Sequence, residues 1–275
     1  MLKYLDGTRS IMAARVNYLN NRDLLKEIHK SKNSYSSFVK PEFNEYDLIV
    51  VNLDKINIRK IAEAKKNRAA RMSYNAWQEA LKENPKAKLS EFTVNPKKIT
   101  KADVVFRVMT YDHIPLAPGR KRVPKTTADH HVRLNFPPFQ HWKFDAKDKL
   151  VCIGKSHWIG GMKDGAFSCT HGSMTNKLAK MFMLLCERYS SRSNWRGYTY
   201  TEEMKGQTLL QLAQVGLQFD ESKSENPFGY YTQVSSSSFC RVLNVEKRHQ
   251  EIRDDILEQH SINPSYTRQN KTSND

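Results

Sequence analysis

Long apolar runs are missing from this 275-residue chain, whose hydrophobic fraction is 39% and whose mean hydropathy is -0.70. No stretch approaches the roughly 18–20 apolar residues that a membrane span needs, so a soluble protein is expected. Cysteine is scarce: Cys152, Cys169, Cys186 and Cys240 stand apart without close pairs. In a chain this large that spacing predicts reduced thiols in a cytosol rather than a disulfide scaffold. No secretory leader pattern opens the chain. No two cysteines have the short separation of a structural zinc knuckle, so His130, His131, His141, Cys169 and His171 read as ordinary packing and surface residues rather than as a metal site. A phosphate-cradling glycine loop, a nucleophile elbow and a metalloprotease histidine pair are likewise absent. With no paired carboxylates at a credible metal site, the expectation is a protein that is not an enzyme and holds neither cofactor nor metal.

Acidic residues are also in deficit. Asp plus Glu number 29 against 45 Lys plus Arg, a net charge of +16 with pI ≈ 9.6. A surface of that sign favours partners rich in phosphate or carboxylate, without choosing between DNA, RNA and acidic protein.

What is present is helical punctuation. Leu24, Leu25 and Ile28 recur at helical spacing after Asn21, a capping residue type. Residues 56–82 are rich in Ala, Lys, Arg and Glu and predict a long helix with Ile58, Ile61, Ala62, Ala69, Met72, Ala76 and Ala80 on its apolar stripe. Residues 55–101 carry 13 Lys plus Arg against 4 Glu. Such a run is either a solvated helix face or a surface laid along nucleic acid. Between 103 and 158 the segments "DVVFRV", "HVRLNF" and "KLVCIG" read as short strands among prolines, and "PGRKRVPK" at 118–125 as an exposed basic loop. Glycines at 154–172 suggest a hinge-like run. Helical pattern then dominates. Leu178, Met181, Phe182, Leu185 and Tyr189 share one face; Met204, Leu209, Leu212, Ala213 and Val215 mark a second helix over 202–218. Asn226 as cap and Pro227 at the first position open a third, running to Arg248 or beyond. Asp254, Asp255 and Glu258 read as a solvated face, and the tail from Ser261 as frayed.

The third helix has an unusual composition, "NPFGYYTQVSSSSFCR". At 100° per residue, Gln233, Val234, Ser237, Arg241, Asn244 and Arg248 fall within about 60° of Tyr230. Tyr231, Ser235, Ser238, Phe239 and Val242 fall on a second stripe, with aromatics for a core and small serines for close helix packing. The first stripe offers a ring, amides, hydroxyls and cations, groups that stack on bases and hold phosphates. The bland alternative is a plain solvent-exposed face.

In "KLAKMFMLLCERYSSRSNWRGYT", "EEMKGQTLLQLAQVGLQFDESKSENPFGYYTQ", "SFCRVLNVEK" and the earlier "YLNNRDLLKEI", the chain resembles the core domain of bacterial sigma factors, and most closely the late-transcription sigma factors of T-even-type bacteriophages, the cyanophage ones above all. The likeness covers about residues 170–258 and the amino-terminal helix. It implies the sigma-type helical bundle at 166–260; joined to the segments read above, the expectation is a mainly α protein with a helical segment at 1–40, a basic extension at 41–165 that has no sigma counterpart and carries the long helix (56–82) and short strands (103–158), and a polar tail at 261–275. It implies lending promoter recognition and strand opening to host core RNA polymerase in the infected bacterial cytoplasm, on a short AT-rich late element. Docking on the coiled coil of the polymerase's largest subunit would fall to Glu203, Gly206, Gln207, Leu209, Leu210 and Ala213, with Gln207 where housekeeping sigmas have an acid. Capture of a flipped adenine would fall to Tyr230, beside Phe219 and Lys223. Gln233 and Val234 replace the two tryptophans that wedge the duplex fork in housekeeping sigmas. Ser237 and Cys240 take the base-reading positions, and Arg241, Lys247 and Arg248 the phosphates. The family's other partners are a late coactivator and the phage sliding clamp, reached through a hydrophobic and acidic tail; here Ile262 and Tyr266 are the only candidates for that anchor. The alternative from another class is a basic phage nucleic-acid-binding protein with no polymerase partner.

Overall fold

The computed structural model describes residues 19–116, 119, 134–168, 170 and 172–272. The cations of the 118–125 loop at 120–125, and His130, His131, Cys169 and His171, lie outside the described residues.

A five-stranded sheet forms the middle layer: β1 (Ser36–Phe38), β2 (Leu48–Val50), β3 (Val105–Met109), β4 (Phe139–Phe144) and β5 (Leu150–Ser156). Their order is β1-β5-β4-β3-β2, antiparallel except for the β2–β3 edge. A two-stranded hairpin, β6 (Trp158–Ile159) with β7 (Ala166–Phe167), occupies the stretch read as a hinge. Of the segment read as a strand at 131–136, Leu134 and Phe136 are buried but form no ladder.

Both faces of the sheet are covered. On one side Phe106, Val108, Trp142, Phe144 and Leu150 meet α2 (Ile58–Glu83). Asn57 caps α2 by accepting from the Lys60 N–H at 2.9 Å. The buried residues of α2 are Ala64, Ala69 and Ser73. Ile58 and Met72, expected on the apolar stripe, are exposed instead, because the helix meets the sheet along its first half and the returning chain along its second. On the other side Phe139 joins a core with α1 (Asn21–Asn33), α3 (Asn176–Ser190), the end of α4 (Thr201–Val215) and α5 (Pro227–Gln259). A third cluster, Tyr189, Trp195, Met204, Phe239 and Val242, closes the far end of the helical half.

Residues 41–165 are therefore not a free-standing extension. β1, from the 1–40 segment, pairs with β5, and Leu24 and Ile28 of α1 share a core with Phe136, Phe139 and the helices. The cap of α1 is Asn20, which accepts from the Asp23 N–H at 2.7 Å. Asn21 instead accepts from the Phe228 N–H at 3.0 Å, at the start of α5.

The tail is ordered too. α6 (Tyr266–Thr272) follows a clamp in which Asp254 accepts from the Ser265 N–H at 2.8 Å and Oγ at 2.7 Å, while Arg268 reaches Asp255 and Glu258. These acids are paired rather than simply solvated, and Asp254 is buried. Asp254→Ala is expected to release this clamp. Amide exchange over residues 262–272 should rise by about an order of magnitude, with α3 and α4 unchanged.

Candidate nucleic-acid interface

α4 and α5 run antiparallel, since Tyr230 meets Val215 while Arg241 meets Gln211. Met204, Thr208 and Leu212 of α4 are buried, and so are Tyr231, Ser235, Ser238, Phe239 and Val242 of α5, the full set expected for packing. Ser235 disposes of its hydroxyl by donating to the Tyr231 carbonyl at 2.9 Å, one turn back. Gly216 lets α3 approach the end of α4, since a Cβ there would lie 2.7 Å from the Phe182 ring. The Tyr231 hydroxyl then reaches the Gly216 carbonyl at 2.7 Å.

The remaining side of α5 borders an open cleft of about 350 Å³, lined by Gln211, Val215, Tyr230, Gln233, Val234, Ser237, Ser238 and Arg241. Five of these were expected on the nucleic-acid stripe. Tyr230 is half-buried. Its hydroxyl donates to the Val215 carbonyl at 3.3 Å, and its ring packs on Phe219 and Tyr231 at centroid distances of 5.6 and 5.3 Å. Burial pushes its hydroxyl pKa up. The ring is thus held from behind while its remaining surface borders the cleft. Val234 is half-buried against the same core. Gln233 and Ser237 are exposed, with the amide 3.5 Å from the hydroxyl. Arg241 is exposed and 3.4 Å from the Gln211 amide oxygen. Arg248 continues the line about 27 Å from Tyr230 along the helix, while Cys240, a free thiol, and Lys247 flank it; all three are exposed.

Phe219 corrects the expectation. It is 3% exposed, inside the core, and supports Tyr230 rather than touching a ligand. Lys223 projects from the loop between α4 and α5, 3.6 Å from Asp220. Three cleft residues lie outside the expected stripe of α5: Val215 and Gln211 of α4, and Ser238. Gln211 comes from α4, one turn beyond Gln207. Ser238, assigned to packing, has a buried Oγ without a hydrogen-bond partner at the cleft wall.

The face of α4 turned away from α5 carries Glu203, Gly206, Gln207, Leu210 and Ala213, all exposed and spanning about 120° of the helix. Leu210 is 54% exposed, a large apolar side chain without cover. Leu209 turns inward and is half-buried against the core, so it does not share that surface.

The loop that leads into α5 is anchored from the sheet side. Glu221 Oε2 accepts from Lys32 Nζ at 2.7 Å, and Lys32 also donates to the Phe219 carbonyl at 2.7 Å. Arg107 Nη1 lies 3.7 Å from Glu221 Oε1, its guanidinium between the rings of Tyr46 and Phe139 at 4.0 and 3.8 Å. Arg107 Nε donates to His141 Nε2 at 3.0 Å, so the His141 proton sits on Nδ1, which donates to the Phe43 carbonyl at 2.8 Å. Burial, reinforced by Arg107, holds the His141 pKa well below the usual imidazole range. Burial opposes ionisation of Glu221, but Lys32, His29 and Arg107 together outweigh it and hold its carboxyl well below the usual range. Lys32, Arg107 and Glu221 sit far apart in the chain and read as surface charges; no sequence pattern marks them.

Among the described residues no helix is long and apolar enough to cross a membrane, and no group of three His, Cys, Asp or Glu could hold a metal ion. No protein-family model, curated protein or solved structure matches the chain.

Proposed function

We propose that the chain is a phage-type late sigma factor, which binds host core RNA polymerase through α4 and captures the opened strand of an AT-rich promoter element along α5. The supporting observation is the α4–α5 pair itself. One long helix offers a braced tyrosine, amide, hydroxyl and guanidinium in series along an open cleft, and its neighbour offers a separate exposed face with an uncovered leucine. A half-buried ring with a free edge can offset the few kcal/mol lost when a base leaves its stack. Gln233 and Val234 are weak wedges, so the reading requires an easily melted target.

The reading is tested by co-purification. Glu203→Lys with Leu210→Asp is expected to abolish recovery of core polymerase from host lysate, while the chain stays folded, because both residues are exposed and bear no core contact. Recovery equal to that of the unaltered chain would overturn the docking assignment. If the unaltered chain brings down mixed nucleic acid and no polymerase subunits, the alternative holds: a basic nucleic-acid-binding protein, favoured by the +16 charge.

A further inference from the structure

α2 carries cations that the fold does not use. Arg68 and Arg71, toward the sheet, are taken up by Asp47 and Glu45, and Lys60 by Glu63. Arg59, Lys65, Lys66, Lys97 and Lys98 make no ion pair among the described residues. The fold brings Lys97 and Lys98 back to the helix. Past its end, α2 is followed by a segment that runs back along it: Trp77 Nε1 donates to the Ala87 carbonyl at 2.8 Å, the Val94 N–H donates to Ser73 Oγ at 2.8 Å, and Ile99 packs with Ala64 and Ala69. The turn Pro96–Lys98 is thereby set against α2. Lys97 and Lys98 are brought in this way beside the unpaired cations of α2. Like charges brought together repel one another, and the acid within a turn of Arg59 and Lys66, Glu63, is already paired with Lys60.

We propose that this surface is a second nucleic-acid contact that grips the phosphates of double-stranded DNA without reading sequence. Cations supplied by two separate segments suit the closely spaced phosphates of a duplex, one charge per about 1.7 Å of helix axis. Among the described residues the nearby rings are covered at least in part: Tyr74 lies beneath the Arg22 guanidinium at 4.5 Å, Trp77 is half-buried and bonded to Ala87, and Phe92 of the returning segment is half-buried. A single strand would find charge here but no fully exposed ring to stack on. The surface is also tied to the α5 cleft. α1 contacts α2 through Arg22 on Tyr74 and the start of α5 through Asn21 on Phe228. The proposal goes beyond the polymerase reading and does not need it.

The test is equilibrium binding of the full chain to a mixed-sequence DNA duplex three helical turns long, followed by fluorescence anisotropy over a salt series, with no polymerase present. Each neutralised phosphate contributes about 0.9 to the slope of log Kobs against log salt. Lys65→Gln, Lys66→Gln, Lys97→Gln and Lys98→Gln together are expected to make that slope shallower by about 3 to 4, with an unchanged near-ultraviolet circular dichroism spectrum. Tyr230→Ala is expected to leave the duplex slope where it was. A slope unmoved by the four substitutions overturns the proposal. So does tighter, equally lysine-dependent binding of an RNA duplex of the same length. Because the polymerase pull-down uses other residues and another readout, failure of one reading is distinguishable from failure of the other.

Discussion

Glu221→Ala is expected to destabilise the protein by about 3 to 5 kcal/mol, the usual cost of removing one partner from a buried ion pair. Lys32 and Arg107 are fully buried, and without the carboxylate two cations face each other in a site closed to water. Arg107 Nη1 and Nη2 already lack hydrogen-bond partners, and the flanking rings and Glu221 are what offset that. Adding Lys32→Met to Glu221→Ala removes one stranded charge and is expected to recover part of the loss. Urea denaturation of the two variants measures both effects; equal stability of Glu221→Ala and the unaltered chain would refute the account. The pH dependence has a defined sign. Glu221 has a depressed folded-state pKa, so its contribution is present above its ordinary carboxylate value, near 4.5, and is lost as pH falls through the lower folded value. Burial also lowers the pKa of His29, His141 and His113, the last to about 4. Below about pH 6.5 the unfolded chain binds protons that these buried rings do not, so stability rises with pH in that window too. Acid weakening should begin near 6.5 and deepen below 4.5 in the unaltered chain. The lower step should shrink in Glu221→Ala, leaving the part due to Asp103 and Asp254, whose carboxyls are also lowered by hydrogen bonds from Thr100 and Ser265.

That joint shows why part of the fold could be read from sequence and part could not. The helices α3 and α5 announce themselves because their burial follows a 3.6-residue period over about three turns: Leu178, Met181, Phe182, Leu185 and Tyr189 are all buried, and so is the Tyr231–Val242 stripe, whereas α4 buries Met204 and Leu212 of its expected stripe and exposes Ala213. Local chemistry also fixes the start of α5, where Asn226 accepts from the Gly229 N–H at 3.0 Å ahead of Pro227. The sheet is harder to see. β1 and β2 are three residues each, too short for a period to show, and β4, "FQHWKF", buries Gln140 and His141 between covered faces. α2 is correct in extent and wrong in face because its two halves pack on different neighbours, which rotates the buried side from Ala64 toward Ala69 and Ser73. Lys32, Arg107 and Glu221 defeat pattern reading altogether, since what makes burial tolerable is a partner up to 189 residues away. Residues 40–165 acquire a structural role by this route: the sheet holds Glu221, Glu221 holds the loop, and the loop sets where Tyr230 stands. The cleft's α5 side was legible from angular position alone, whereas Phe219 was not, because its burial depends on α1.

Tyr230→Ala is expected to weaken binding of an AT-rich single strand by about 5- to 150-fold, the equivalent of one lost base–aromatic stack at about 1 to 3 kcal/mol. The ring's hydroxyl bond to Val215 is long at 3.3 Å and exchanges with water at little net cost. Tyr230→Phe should therefore keep most of the affinity, which separates a stacking role from a hydrogen-bonding one. Charge is separable as well. Arg241→Gln and Arg248→Gln each remove a cation from the same line, and each is expected to reduce the salt slope for a single strand by about 0.7, whereas Tyr230→Ala changes affinity at every salt concentration and leaves the slope alone. If the proposed sigma function holds, the alanine variant on an AT-rich promoter with core polymerase should still assemble with the enzyme, because the proposed docking face of α4 is untouched, yet should leave promoter thymines protected from permanganate. If Ala and Phe at position 230 bind single strands equally, the ring is only packing against Phe219 and Tyr231, and strand capture must be sought elsewhere on the chain. The half-buried state of the ring makes this contrast informative: a fully buried tyrosine would lose affinity through unfolding, and a fully exposed one would have no fixed orientation from which to stack.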